Sequence, residues 1–133
     1  ASVPDFDMFA ELRAAIAGAR SKTHNASALS AHAALELATI GSATALRMDD
    51  DIGSLTPGKR ADATVVSTAG SLYDPIEDPT LAVVYGGSPQ QILRTITDGI
   101  TRYNRGGFAW HELREAAKAA RARMLEAKVI AAT

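Results

Sequence analysis

Cysteine is missing from the whole of this 133-residue chain, which excludes disulfide frameworks, thiol nucleophiles and cysteine-based zinc sites. A reducing cytoplasm fits that composition and is the expected location. A dominant charge is missing too: fourteen Lys and Arg stand against fifteen Asp and Glu. No basic field therefore recruits nucleic acid, and no acidic one recruits a basic partner. Nor does any uninterrupted apolar run approach the roughly 18 residues of a spanning helix, so no membrane association is expected. The opening Ala1-Ser2-Val3-Pro4-Asp5 lacks a basic stretch followed by an apolar one and reads as neither signal peptide nor anchor. Because it leads straight into a helical pattern, it is expected to continue something longer.

What the chain does have is a globular composition, 47% hydrophobic and 22% charged, enough for one hydrophobic core. Phe6, Phe9, Leu12 and Ile16 recur at three- and four-residue steps, predicting an amphipathic helix from about Asp5 to Ala19 with Asp5 or Asp7 as its cap. A polar stretch rich in turn formers follows. A second helical segment is expected between Ser30 and Leu46, divided at Gly41-Ser42. Its alanines (Ala31, Ala33, Ala34, Ala38, Ala43 and Ala45) favour helix and let a neighbouring layer approach closely.

From Asp49 the pattern changes. Ile52-Gly53-Ser54-Leu55 reads as a short extended piece. Thr56-Pro57-Gly58-Lys59 places proline and glycine where a type II turn needs a fixed φ and then a positive one. Ala63 to Ser67 is a β-branched strand. Asp74-Pro75 and Asp78-Pro79 mark a loop, since a residue before proline is kept out of the helical region. Leu81 to Tyr85 is a short apolar piece closed by Gly86-Gly87. Gln91 to Thr97 and Ile100 to Tyr103 are strand-like runs joined by Asp98-Gly99, the strongest hairpin signal in the chain. Beyond a Gly106-Gly107 joint, a final helix is expected from about Trp110 to Lys128, with Leu113, Ala117, Ala120, Met124 and Leu125 as its apolar stripe.

The contiguous run Asp51-Ile52-Gly53-Ser54-Leu55-Thr56-Pro57-Gly58-Lys59-Arg60-Ala61-Asp62 resembles the segment that closes the composite β-sandwich of the amidohydrolase superfamily. Ala38 to Leu46 is similar to the helical segment before that run. Asp5 to Phe9 resembles the helix after the last barrel strand, Leu81 to Gly86 the short helix after the Asp-Pro loop, and Thr97-Asp98-Gly99 the terminal hairpin. The matches come in the family's order and cover almost the whole chain.

The resemblance implies an α/β fold: the last helices of a (β/α)8 barrel in residues 1–48, a composite β-sandwich segment with an inserted short helix in 49–107, and a C-terminal helix in 108–133. The Met-Phe helix, the Tyr-Gly segment and the Arg-rich final helix look most like the branch of cytosine, guanine and S-adenosylhomocysteine deaminases and triazine chlorohydrolases. In that branch a metal-bound hydroxide attacks a carbon of a nitrogen heterocycle and expels ammonia, an amine or chloride. Zinc or iron is expected in a complete enzyme. The family's ligands, a His-x-His pair, two later histidines and an aspartate, match no position of this chain, whose start the resemblance places just past that aspartate.

The remaining candidates have ordinary readings. His24, His32 and His111 lack ligand spacing and are expected to be exposed or to pack. The adjacent carboxylates of Asp49-Asp50-Asp51 alternate in direction and suit a solvated turn better than a cation site. Lys59-Arg60 follows no glycine-rich phosphate loop. Ser2, where some relatives place polar residues of the substrate pocket, is the one substrate-binding candidate, and its plainer reading is a terminal serine. No catalytic, cofactor-binding or metal-binding residue is assigned. The expectation is thus a C-terminal part of a hydrolase acting on C–N or C–Cl bonds, completed by the missing barrel portion. Its alternative is a non-catalytic module, derived from the same family, that assembles with itself as a homo-oligomer. A small domain with its own chemistry would need a nucleophile-base pair that the sequence does not offer.

Overall fold

The computed structural model describes residues 6–69, 77–105, 107, 108 and 111–130, with Phe108 and residues 111–114 and 125–130 described by backbone alone. Ser2, Asp5, the Asp74-Pro75 dipeptide, Gly106 and Trp110 lie outside those residues. The first helix, α1, runs Met8–Thr23. Its cap is Asp7, whose carboxylate accepts from the Phe9 and Ala10 N–H groups at 2.9 and 3.3 Å, two donors that have no partner within the helix. The helix passes the expected end at Ala19 because the polar stretch that follows suits a last turn as well as a loop. The Thr23 hydroxyl donates back to the Ala19 carbonyl at 2.8 Å. The helix stops only at His24, left-handed with φ 50°, where the N–H groups of His24 and Asn25 both reach the Arg20 carbonyl.

The second helical segment begins, as expected, on a Ser30 cap, whose Oγ accepts from Ala33 N–H at 3.2 Å. It is not divided at Gly41-Ser42. Helix α2 (Ala31–Glu36) passes through a π-type turn (Leu37–Gly41) into α3 (Ser42–Ala45), and Gly41 itself is helical. Hydroxyls take up carbonyls along this wider turn: Thr39 donates to Leu35 O and Ser42 to Leu37 O, both at 2.7 Å. The run ends at Arg47, left-handed with φ 57°.

Residues 52–55 are not extended. They bend at Gly53, with φ +88°, and press it onto the helical run. The expected Thr56–Lys59 turn is present, with Lys59 N–H donating to Thr56 O at 3.2 Å and Gly58 at φ +98°. After β1 (Ala63–Val66), helix α4 (Pro79–Gly86) starts on an Asp78 cap with Pro79 in its first turn. The hairpin of β2 (Ile92–Thr97) and β3 (Ile100–Asn104) turns through Asp98 and Gly99 at φ 52° and 74°, the two positive values of a type I′ turn. A two-residue strand that the sequence did not announce, β4 (Gly107–Phe108), adds to β3 where a joint was expected. The sheet is antiparallel throughout, in the order β1-β2-β3-β4. Helix α5 spans His111–Ile130.

The core lies among the helices. Leu12 and Ile16 of α1 meet Ala31 and Ala34 of α2 and Val84 of α4, with Leu29, Leu35, Ala38 and Tyr85 packed around them. Alanine on α2 brings the three helices close, and each large side chain buried this way contributes about 1.5–3 kcal/mol. Arginines close the ends: the Arg13 guanidinium donates to the Gly87 carbonyl at 3.0 Å, and that of Arg20 to Ala28 O at 3.2 Å and the Tyr85 hydroxyl at 3.1 Å. Among the described residues, no strand residue is fully buried. The sheet and the helices therefore do not share one sealed interior.

Candidate functional site

A concavity lies in the gap between the helices and the sheet. A groove of about 720 Å3 runs between Phe9, Leu12, Leu35 and Val83 on the helical side and Ala63, Val66, Ile92 and Ile96 on the sheet. A second, of about 560 Å3, continues along α3 and the bend at Gly53. Both are bordered by Leu35, Ala38, Thr39, Asp62, Ala63 and Thr64, so they form one trough under β1. Among the described residues strand β1, whose Ala63 and Thr64 line both parts of the trough, pairs only with β2. The walls are mostly aliphatic.

Two of the polar groups along the trough, Thr39 and Asp62, are already committed. Thr39 donates its hydroxyl proton within the helix. The Asp62 carboxylate accepts from the Asp98 N–H at 2.7 Å, while Gly99 N–H donates to the Ala61 carbonyl at 3.0 Å. The last residue of the Asp51–Asp62 run thus clamps the tip of a hairpin 36 residues further on. Asp62→Ala is expected to cost about 1 kcal/mol, the usual value of a side-chain cap, and to speed amide exchange at Asp98 and Gly99, with Asn at that position recovering most of the loss. Unchanged exchange at the hairpin tip would remove this role.

Lys59 has a similar use. Its ammonium donates to the carbonyls of Asp49 and Ile52, the latter at 3.3 Å, while Arg60 N–H donates to Asp51 O at 2.8 Å. The Asp49-Asp50-Asp51 stretch is a turn held through its backbone, and Lys59 is occupied by that turn. Spacing alone did not reveal either residue, because both act across a loop rather than along an element.

The histidines do not come together. His24 is the left-handed residue after α1. His32 is exposed on the first turn of α2, its Nε2 3.8 Å from the Asp78 carboxylate. His111 opens α5. Among the described residues no three His, Asp or Glu side chains converge on a point that could hold a metal ion. The described residues thus do not fit the metal of the family's chemistry. Ser2 falls outside the described residues, so the structure does not place it.

Comparison with known proteins accounts for this scaffold. The chain matches the model of the amidohydrolase family over residues 1–102. It is 39% identical over 85 residues to 5-methylthioadenosine/S-adenosylhomocysteine deaminase of Teredinibacter turnerae, a match that covers 64% of this chain and 19% of that protein. Its fold is similar to that of a zinc-bound adenosine deaminase from Xanthomonas campestris, with a TM-score of 0.76 and 29% identity over 92% of this chain and 27% of that one. It also resembles guanine deaminase of E. coli, with a TM-score of 0.65 and 31% identity over 74% and 24% of the two chains. The chain spans about a fifth of the length of the curated relatives it matches. On a family match that takes in most of its residues, this chain belongs to the amidohydrolase family.

Proposed function

We propose that this chain is the C-terminal portion of a metal-dependent amidohydrolase that acts on non-peptide C–N bonds, or C–Cl bonds, of nitrogen heterocycles, with deamination the first activity to test. The reading rests on one observation above all: among the described residues, a four-stranded sheet with no fully buried side chain stands over an aliphatic trough, and β1 at its edge has no second strand partner. An open edge beside an apolar channel calls for further strands and side chains. The deaminases named above belong to longer proteins in which a segment like this one occupies about a fifth to a quarter of the length. In this reading the remainder of the enzyme supplies the barrel, the metal ligands and the substrate pocket. The portion described here completes the sandwich and covers the barrel with α1 and α2. Exposed Met8 lies on α1, with exposed Phe6 just before that helix and exposed Leu37 just after α2. The metal, zinc or iron, would supply the attacking hydroxide.

Two measurements test this. The coding sequence upstream of Ala1 should carry, in frame or on a co-purifying polypeptide, a His-x-His pair and an aspartate placed to end a barrel strand. The assembled protein should bind zinc or iron stoichiometrically and release ammonia from a purine nucleoside or base. A metal-free homo-oligomer formed by the chain with no such polypeptide would sink the reading and favour the self-assembling module instead, whose exposed apolar helix faces would then be buried between copies.

A further inference from the structure

Of the chain's aspartates and asparagines, Asp98 alone is followed by glycine. Such a dipeptide can rearrange without help, because glycine has no side chain to keep its nitrogen away from the carboxyl of the residue before it. The Gly99 amide nitrogen loses its proton and attacks the side-chain carboxyl carbon of Asp98; a C–N bond forms, and the carboxyl hydroxyl leaves with a proton as water. One water then reopens the five-membered imide ring. When it breaks the bond between the Gly99 nitrogen and the main-chain carbonyl carbon of Asp98, the chain is left running through the side-chain carbons as isoaspartate, one backbone atom longer. No oxidant, cofactor or second protein takes part.

Three features of the folded chain oppose this step. The Gly99 N–H, whose proton must leave, donates to the Ala61 carbonyl at 3.0 Å. The Asp98 N–H donates to the Asp62 carboxylate at 2.7 Å, so both amides of the hairpin tip are tied to the residues just before β1. The tip is also a type I′ turn, with Asp98 at φ 52° and a ψ that such turns keep small and positive. Ring closure swings the Gly99 nitrogen round the Asp98 Cα–C bond toward the side chain, which turns its N–H away from Ala61. These contacts lie within the chain and hold whatever covers its surface. We propose that Asp98-Gly99 is a site of spontaneous isoaspartate formation, and that Ala61 and Asp62 guard it by fixing the turn. An isoaspartate there lengthens the turn and unseats the pairing of Thr97 with Ile100 between β2 and β3. The site is independent of the proposed hydrolysis, to which none of these residues is assigned.

The test incubates the full chain in mildly acidic buffer beside a synthetic peptide of residues 95–102, the tryptic fragment that contains the site. Isoaspartate is counted by methyl transfer from S-adenosylmethionine with an isoaspartyl methyltransferase and located by mass spectrometry of that fragment. It should accumulate at Asp98 at least about tenfold more slowly in the chain than in the peptide, since two hydrogen bonds must open first. Asp62→Ala should raise the rate in the chain about fivefold. Asp62→Asn, whose side-chain oxygen still accepts, should restore most of the protection. Gly58→Ala, expected to cost the fold about as much at a position with nothing within 4 Å of its Cβ, should leave the rate near that of the unaltered chain. Equal rates in chain and peptide overturn the proposal. So does an Asp62→Ala chain that rearranges no faster than the original, or an acceleration by Gly58→Ala that matches it, which would place the control in global unfolding rather than in the clamp.

Discussion

Gly53→Val is expected to destabilise the protein by about 4 kcal/mol, a loss that two separate costs make up. The residue sits at φ +88°, and a Cβ there would lie 2.7 Å from the Ala43 Cβ and 2.9 Å from the Ile40 Cα. A β-branched residue is strained at that φ, and the helical run behind it is backbone that cannot swing aside. Gly58 separates the two costs. It has nearly the same φ, +98°, but nothing stands within 4 Å of its Cβ position. Gly58→Ala should therefore cost only about 1 kcal/mol, and Gly53→Ala two to three times as much. Urea denaturation of the three variants reads these differences through the midpoint. Similar midpoints for Gly53→Ala and Gly58→Ala would show that the contact with Ile40 and Ala43 contributes nothing. If the chain is part of a larger hydrolase, Gly53→Val should lower the yield of folded enzyme while leaving turnover per bound metal nearly unchanged. The substitution acts on the scaffold and touches no metal ligand.

The elements that rest on local chemistry were legible in the sequence. Asp98-Gly99 adopts the two positive φ values its hairpin requires, Thr56 to Lys59 closes as a type II turn, and Phe9, Leu12 and Ile16 point into the core. Illegible were features that depend on residues far apart. The Asp62–Asp98 clamp and the two carbonyls held by Lys59 have no periodicity to betray them. The bend at residues 52–55 follows from close packing on Ala43 and Ile40, which a run of Ile, Gly, Ser and Leu does not announce. The π-type turn kept Gly41 helical because hydroxyls of Thr39 and Ser42 take up carbonyls where the ladder widens. Strand β4 is two residues added to an existing edge, too short to leave a pattern. As for the site, the sequence placed the metal chemistry elsewhere through resemblance, and the trough between helices and sheet became visible only in three dimensions.

Val84→Asp should be the most damaging single change to the helical core, costing more than about 4 kcal/mol at neutral pH. Val84 has no exposed surface and packs among Leu12, Ile16, Ala31 and Ala34, where a carboxylate would meet no donor. Burial disfavours the charged form, so the introduced group has a folded-state pKa raised above its unfolded value of about 3.9. The sign follows from linkage. Stability relative to Val84→Ala is greatest below pH of about 4 and is lost as pH rises through the raised pKa. Val84→Ala, which only removes two methyl groups, should cost about 2 kcal/mol with no such dependence. Parallel pH profiles for the two variants would mean that water reaches this position. The sheet is expected to melt together with the helices in Val84→Asp. With no fully buried residue of its own among those described, a hairpin and two flanking strands lack the packed face that independent stability requires, and amide protection in β2 and β3 should vanish along with that of α1 and α4.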